Sequence, residues 1–230
     1  MSARLHFIVE GQTEETFVNR VLIPQLATRS VWAKVRCVMT SRKRGIKYRG
    51  GLDSYARAKR DIVLWMKEDQ NDDAFFTTMF DLYALPNDFP GYESAHRKTD
   101  PRQRVTALEN AILQDLAHRR FVPYIQLHEF EALLLADPKA LEWEYLEHDT
   151  AIQNLVNMVS TFASPELIDD GNETAPSKRI IKQIPEYEGM KASAGPIVAE
   201  KIGLPKLRSK CPHFDEWLCR LETLSTGASA

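Results

Sequence analysis

Strand-like and helix-like segments alternate through the first 136 residues, and this alternation constrains the fold more than any other feature. Residues 5–9 form a short apolar run with aromatic and β-branched side chains that ends before Gly11, which predicts a buried strand. By the same criteria, further strands are predicted at 31–40, 74–80 and 121–127, and helices at 13–22, 52–67 and 102–118. This order predicts βαβ units and a mostly parallel, four-stranded α/β sheet with helices on both faces.

The rest of the chain has a different pattern. From Pro138 onward the sequence predicts only helices and irregular segments, including a last helix near 213–224. We therefore expect an α/β core at 1–136 and a C-terminal helical region at 137–230 that packs on the core. Within the core, three prolines and a glycine predict that residues 85–101 form a loop.

Composition limits where the protein acts and what it binds. The 30 Lys and Arg residues nearly balance 32 Asp and Glu, so nucleic acid or membrane is not attracted by net charge and would need a local patch. The three cysteines, Cys37, Cys211 and Cys219, are widely spaced and fit a reducing compartment. The sequence shows neither a signal peptide nor a run of about 20 apolar residues. We expect a cytoplasmic protein with no membrane partner.

Two acidic residues follow predicted strands directly. Glu10 comes after the first strand and Asp81 after the third. Because parallel strands end at the same edge of a sheet, and ligands of such sheets bind there, the two carboxylates should converge. Oxygen ligands of this kind favour Mg²⁺ or Mn²⁺. The alternative is that both acids only cap the strand-to-helix loops.

Basic residues are concentrated in two segments. A glycine-broken loop after the second strand carries five cations and an aromatic ring, Arg42, Lys43, Arg44, Lys47, Arg49 and Tyr48. Such a loop suits contact with phosphates and stacking on bases, although a solvated surface loop has the same composition. Ser177, Lys178, Arg179 and Lys191 form a second group that would suit a phosphate clamp.

Several motifs along the chain resemble one bacterial family. Residues 9–17, reading VEGQTEETF, resemble the opening motif of the family called domain of unknown function 4276. Further blocks that resemble this family lie at 80–86, 89–91, 126–134, 176–179 and 211–218. Together these motifs cover nearly the whole sequence.

This family is similar to Toprim domains, which carry a Glu after strand one and an Asp-x-Asp after strand three. Glu10 and Asp81 match two of these places, whereas Tyr83 stands where the second Asp would be and cannot replace a carboxylate. The resemblance implies that Glu14, Asp88, Glu129 or Glu131 supplies the missing oxygen. It also implies a Toprim-like, Rossmann-like fold with Glu10 as ligand or base and Asp81 as ligand. Glu129 or Glu131 would act as a second-site ligand or base.

The leading functional interpretation is a Mg²⁺- or Mn²⁺-dependent nuclease that hydrolyses phosphodiester bonds of DNA or RNA. The family resemblance adds a role as an effector of anti-phage defence with an ABC-type ATPase partner. Tyr83 favours an alternative, a catalytically degenerate Toprim-fold binding or regulatory subunit. A third interpretation, phosphotransfer on a small nucleotide, requires the basic loop to enclose a pocket. The oligomeric state stays open, a homo-oligomer included.

Overall fold

A mostly parallel sheet forms the centre of the protein, whose computed structural model describes residues 2–38, 41–43, 46–48, 52–168, 171 and 173–227. The strands, in chain order, are β1 (Ala3–Val9), β2 (Val31–Cys37), β3 (Ser41–Lys43), β4 (Ile46–Tyr48), β5 (Ala74–Asp81), β6 (Phe121–Val122) and β7 (Ile125–Gln126). The main sheet has the order β2-β1-β5-β6, and β7 also pairs with β5. Every pairing in it is parallel, which confirms the predicted α/β class.

The fourth predicted strand is divided into β6 and β7, so the main sheet has five strands. The division falls at Pro123, which has no N–H group to donate to a neighbouring strand. Thr78 compensates on the facing strand, because its Oγ1 accepts from the Tyr124 amide and donates to the Tyr124 carbonyl, both at 3.0 Å. The backbone of the interrupted segment therefore stays hydrogen-bonded to β5.

The basic segment after β2 is a β-hairpin and not the predicted loop. β3 and β4 pair antiparallel, with Arg42 opposite Lys47. The predicted strand 31–40 ends at Cys37. Arg44 and Arg49 lie outside the described residues.

Helices cover both faces of the sheet. The first predicted helix begins at Gln12 and runs continuously through α1 (Gln12–Phe17), a π-helical turn (Val18–Leu22) and α2 (Ile23–Ala27). Pro24 does not end it; the π turn lies directly before this proline, whose ring excludes a regular helical hydrogen bond. The other helices of the α/β part are α3 (Tyr55–Glu68), α4 (Tyr92–His96) and α5 (Pro101–Leu116). α4 lies inside the segment predicted as a loop.

Beyond Gln126, the described residues contain helices and turns but no strand, as the sequence predicts. The helices are α6 (Glu131–Leu134), α7 (Asp149–Val159), α8 (Pro176–Gln183), α9 (Tyr187–Ile202), α10 (Leu204–Lys210) and α11 (Pro212–Glu222). Short 3₁₀ turns occur at Leu82–Ala84, Pro138–Trp143, Pro165–Leu167 and Leu224–Thr226. No helix in the described part of the chain combines the length and the apolar composition needed to cross a membrane.

Each face of the sheet has its own apolar core. Side chains alternate along β1, so Leu5 and Phe7 pack on one face and Ile8 on the other. The first face is covered by α1, α2 and the C-terminal helices, and the second by α3, α4 and α5. Trp217 of α11 donates its indole N–H to Thr77 Oγ1 at 2.8 Å, so the C-terminal helices share a core with the sheet.

Candidate active site

The site lies where the strand order of the main sheet reverses. The chain passes from β1 to β2 on one side and later returns to β5 on the other side of β1. In open parallel sheets, ligands bind at the carboxyl ends of strands at such a switch point. Glu10 directly follows β1, and Asp81 is the last residue of β5, with Val9 opposite Met79 in the register. The first and third predicted strands are adjacent and parallel, as the predicted convergence of Glu10 and Asp81 requires.

Glu10 connects the two strand ends through its carboxylate. The side chain is buried, and its Oε2 accepts from the Asp81 backbone amide at 3.2 Å. Its Oε1 accepts from the Leu52 amide, also at 3.2 Å. Burial raises the pKa of Glu10, while these two amides act in the opposite direction. Glu10 therefore fixes the geometry of the edge in addition to adding negative charge to it.

Asp81 has the least satisfied carboxylate of the edge. Its Oδ1 is buried and has no hydrogen-bond partner among the described residues. Burial raises the pKa of Asp81 well above its ordinary value, and the negative charges of Glu14 and Glu10 raise it further. A buried carboxylate oxygen without a donor is unfavourable unless a cation or a proton compensates it.

Glu14 brings a third carboxylate to the same place. It lies in the first turn of α1, and its Oε2 accepts from the amide of Gly11, the residue before the helix, at 2.9 Å. Burial and the charge of Glu10 raise the pKa of Glu14 to about 8. The same side chain thus caps a helix and repels its acidic neighbours.

Glu131 begins α6 and is held from α9. Tyr187 donates its hydroxyl to Glu131 Oε1 at 3.1 Å, and Lys191 Nζ lies 3.7 Å from the same oxygen. Burial and the charge of Glu129 raise the pKa of Glu131 to about 7, against the opposing effect of Lys191. No sequence signal links Tyr187 to Glu131, because the contact depends on how α9 packs.

Glu129 occupies the loop between β7 and α6. Its carboxylate accepts from the backbone amide of Ser177 and, at 3.1 Å, from the Ser177 hydroxyl. The Glu129 carboxylate therefore caps the first turn of α8. Its charge still contributes to raising the pKa of Asp81. The preceding residue, His128, has a left-handed backbone with φ of 64°, and its carbonyl accepts from the Tyr83 amide at 2.8 Å. The loop is therefore fastened to the segment that follows Asp81.

These five acids form what we call the carboxylate cluster: Glu10, Glu14, Asp81, Glu129 and Glu131. Its donor chemistry fits a hard divalent cation, since all donors are carboxylate oxygens and Asp81 Oδ1 lacks a partner. Within the described ranges, no three His, Cys, Asp or Glu side chains are arranged as ligands of one metal ion. Cation binding therefore requires some of these carboxylates to rotate, for example Glu14 away from the Gly11 amide.

Asp88 and Tyr83 have other positions than the cluster. Asp88 is exposed and accepts from Ser54 Oγ and from the amides of Tyr55 and Ala56 at 2.8–3.1 Å, so it caps α3. Of the candidate metal ligands, Asp88 is the one that lies outside the carboxylate cluster and caps α3 instead. Tyr83 lies on the 3₁₀ turn after Asp81 with 46% of its surface exposed.

The residues before and after the basic hairpin lie beside Glu10. Before it, the Val38 amide donates to the Val9 carbonyl at 2.9 Å; after it, the Leu52 amide binds Glu10. The described residues that flank the hairpin segment, Val38 and Leu52, thus lie at the acidic edge.

The second basic group is partly used in packing. Arg179 donates Nε to the Thr174 carbonyl at 2.7 Å, and its guanidinium lies 5.6 Å from the centre of the Phe162 ring. Lys178 is exposed, and Lys191 is paired with Glu131.

These features define an α/β protein with a mostly parallel sheet and an acidic switch point. The chain belongs to the family described as Domain of unknown function (DUF4276), which matches residues 9–222. Two crystal structures of the C-terminal region of the OLD protein from Xanthomonas campestris pv. campestris are similar to it. One has 14% identity, a TM-score of 0.42 and 95% coverage of both chains. The other has 17% identity, a TM-score of 0.37, and coverage of 95% of this chain and 97% of that one. No curated protein matches the sequence.

Proposed function

We propose that this protein is a divalent-metal-dependent nuclease that hydrolyses phosphodiester bonds of DNA or RNA at the carboxylate cluster. The observation that carries this proposal is the crowding of five acids at the switch point, with Asp81 Oδ1 unpartnered. Mutually repelling buried carboxylates are unfavourable unless a cation offsets their charge. A protein that retains such a group has a use for the cation.

The carboxylates divide the work of the site. Asp81 and Glu10 would hold the metal, and Glu14 or Glu131 would supply the oxygen that Tyr83 cannot. When bound, Mg²⁺ or Mn²⁺ stabilises charge on the attacked phosphate and lowers the pKa of a water molecule. Glu10 keeps the ends of β1 and β5 in register through its bond to the Asp81 amide. Lys191 and Tyr187 orient Glu131.

The basic hairpin supplies affinity for the phosphate backbone and no chemistry. The support is its place, because the residues on either side of it are hydrogen-bonded next to Glu10. Arg42, Lys43, Arg44, Lys47 and Arg49 would contact phosphates as the strand approaches the acids. Lys178 adds an exposed cation on α8, whereas Arg179 of the same helix bonds to the Thr174 carbonyl and holds the segment before α8.

The test separates binding from cleavage. Plasmid DNA and RNA are incubated with Mg²⁺ or Mn²⁺ and wild type, Glu10→Gln, Glu131→Gln or Tyr83→Phe. We expect Glu10→Gln to lose metal affinity and turnover while it still folds and binds nucleic acid, and Glu131→Gln to do the same if it completes the site. Tyr83→Phe should cleave like wild type. The family resemblance supports an anti-phage role with an ABC-type ATPase, so each reaction is repeated with any ATPase encoded beside the gene.

A second candidate function is a binding or regulatory subunit without catalysis. The observation that favours it is the exposed Tyr83 at the position of the second acid, together with a cluster that requires rotation before it can bind a metal. If wild type and Glu10→Gln are equally inactive in every reaction and calorimetry shows no Mn²⁺ binding, this function replaces the nuclease.

A further inference from the structure

A cavity of about 430 Å³ begins at the residue after Asp81. It lies on the face of the sheet that is covered by α4 and α5, and Leu82 and Leu108 form part of its apolar wall. Its polar lining consists of Tyr83, Tyr92, His96 and Arg104. The volume lies within the range of about 300–1,000 Å³ that is usual for small-ligand pockets.

Tyr83 joins this cavity to the carboxylate cluster. Its amide is bonded to the His128 carbonyl, so the backbone is held between Asp81 on one side and Glu129 on the other. The Cα atoms of Asp81 and Tyr83 are two residues apart in sequence and are separated by at most about 7.6 Å. The ring stays largely exposed, although the flanking Leu82 and Leu85 are buried.

The other lining groups offer flat surfaces and a planar cation. The rings of Tyr92 and His96, one helical turn apart on α4, are stacked with centroids 5.7 Å apart and planes 11° apart. Arg104 reaches the cavity from α5 and donates one guanidinium N–H to the Lys98 carbonyl at 3.1 Å. Aromatic rings and a guanidinium are the groups on which nucleobases stack.

We propose that this cavity binds a nucleobase, that of the nucleotide whose phosphate lies at the carboxylate cluster. The second half of this statement rests on the proposed nuclease function. A base fits the lining better than a second phosphate does, because three rings and an apolar wall surround Arg104, the one cation among the described lining residues, and the neighbouring acids repel anions. A base inside a pocket of this size is unpaired, so the substrate is a single strand or an opened end and not an intact duplex.

Base recognition is measured without divalent metal, so that cleavage plays no part. The probes are 5′-AMP and ribose 5-phosphate, which differ by the base and share any repulsion of the phosphate. NMR titration of the full-length protein gives both dissociation constants for wild type, Tyr83→Ala, Tyr83→Phe and Trp143→Ala. The last variant is the matched control, since Trp143 is 65% exposed and belongs to a 3₁₀ turn on the other side of the sheet.

Wild type should bind AMP about tenfold more tightly than ribose 5-phosphate, the usual size of one stacking interaction. Tyr83→Ala should abolish this preference, whereas Tyr83→Phe and Trp143→Ala should keep it. Equal affinity of wild type for both probes, or an unchanged preference in Tyr83→Ala, would overturn the base pocket.

A single-stranded oligonucleotide is then compared with one carrying abasic residues. A Tyr83-dependent preference for the intact strand supports a polymer substrate. If this preference is absent, the pocket does not bind bases of a polymer, and free nucleotides are the ligands that it accepts. If the protein binds the base but does not cleave nucleic acid in the assay above, the nuclease proposal is wrong and the base-pocket proposal stands.

Discussion

The two ends of β1 carry acidic residues in opposite circumstances. At its amino end, Arg4 binds Asp69 at 3.0 Å and Asp73 at 2.8 Å, and His6 lies 2.9 Å from Asp69. At its carboxyl end, the five acids of the carboxylate cluster face one another, and Lys191 lies beside Glu131. Among the described residues, the acids at the amino end are paired with cations, whereas at the carboxyl end Lys191 is the cation that pairs with one of the five acids.

The pKa values of these acids express the same difference. The hydrogen bond from Arg4 lowers the pKa of Asp73. Burial acts to raise the pKa of Asp69, but hydrogen bonds from Asn71 and His6 outweigh it, so this pKa is also lowered. Burial instead raises the pKa of Glu14 to about 8 and that of Asp81 well above its usual range. The acids at the amino end are paired with Arg4 and His6, whereas the acids at the carboxyl end have raised pKa values, which is typical of a functional site.

The largest expected effect of breaking this contrast is on cleavage. Asp81→Asn removes a carboxylate from the cluster, so turnover of a single-stranded oligonucleotide with Mg²⁺ should fall at least about 100-fold. Asp69→Asn makes the same chemical change at the opposite end and should leave turnover near that of wild type. Equal losses in both variants would mean that the effect comes from altered folding and not from the site.

The same two variants should change stability with opposite signs. Asp69→Asn weakens charged hydrogen bonds to Arg4 and His6 and should lower the free energy of unfolding by about 2 kcal/mol. Asp81→Asn removes a repelled, buried acid and should raise that free energy by on the order of 1 kcal/mol in the metal-free protein at pH 8. Urea unfolding measures both changes. If Asp81→Asn is destabilising, the cluster does not carry the repulsion argued for it.

The cations of the basic hairpin should contribute to nucleic-acid binding and not to the stability of the fold. Replacing Arg42, Lys43 and Arg44 by Ala should weaken nucleic-acid binding about tenfold at physiological salt. The slope of log affinity against log salt should flatten by about 2, at roughly 0.7 per lost contact with a single strand. Arg119→Ala is the control, because Arg119 pairs with Asp72 near the amino end of the sheet. Unchanged affinity in the triple variant at low salt would return the hairpin to a solvated surface.

The last expected effect is a dependence of stability on pH. The pKa values of Glu131 and Glu14 are raised in the fold to about 7 and about 8 from an ordinary value of 4.5. Their contribution to stability is therefore complete below pH 4.5 and is lost as the pH rises through 7 and 8. The metal-free protein should melt roughly 10 °C lower at pH 8 than at pH 6. Calorimetry should show a smaller difference for Glu14→Gln, and Mn²⁺ should raise the melting temperature at pH 8.

The sequence predicts the parallel sheet and the meeting of Glu10 with Asp81, because both follow from short-range patterns. Each strand is an apolar run of its own, and parallel connection brings the strand ends to one edge. The sequence does not distinguish a ligand from a cap, so Asp88 is predicted as a ligand although it caps α3.

Contacts between distant segments were also beyond the sequence. Glu129 bonds to Ser177, 48 residues away, and Glu131 to Tyr187, 56 residues away. The antiparallel pairing of β3 with β4 was hidden by a composition that is typical of loops. Such contacts depend on tertiary packing, which local sequence patterns do not predict.

The burial of Trp217 gives the protein an internal fluorescent reporter. Its indole ring stacks on Tyr124 with centroids 4.0 Å apart and donates to Thr77, whereas Trp32 and Trp143 are largely exposed. Emission from Trp217 should therefore be the component that shifts to longer wavelength when α11 separates from the sheet. Trp32→Phe and Trp143→Phe together would reduce the solvent-exposed background and allow docking of the last helix to be followed in real time.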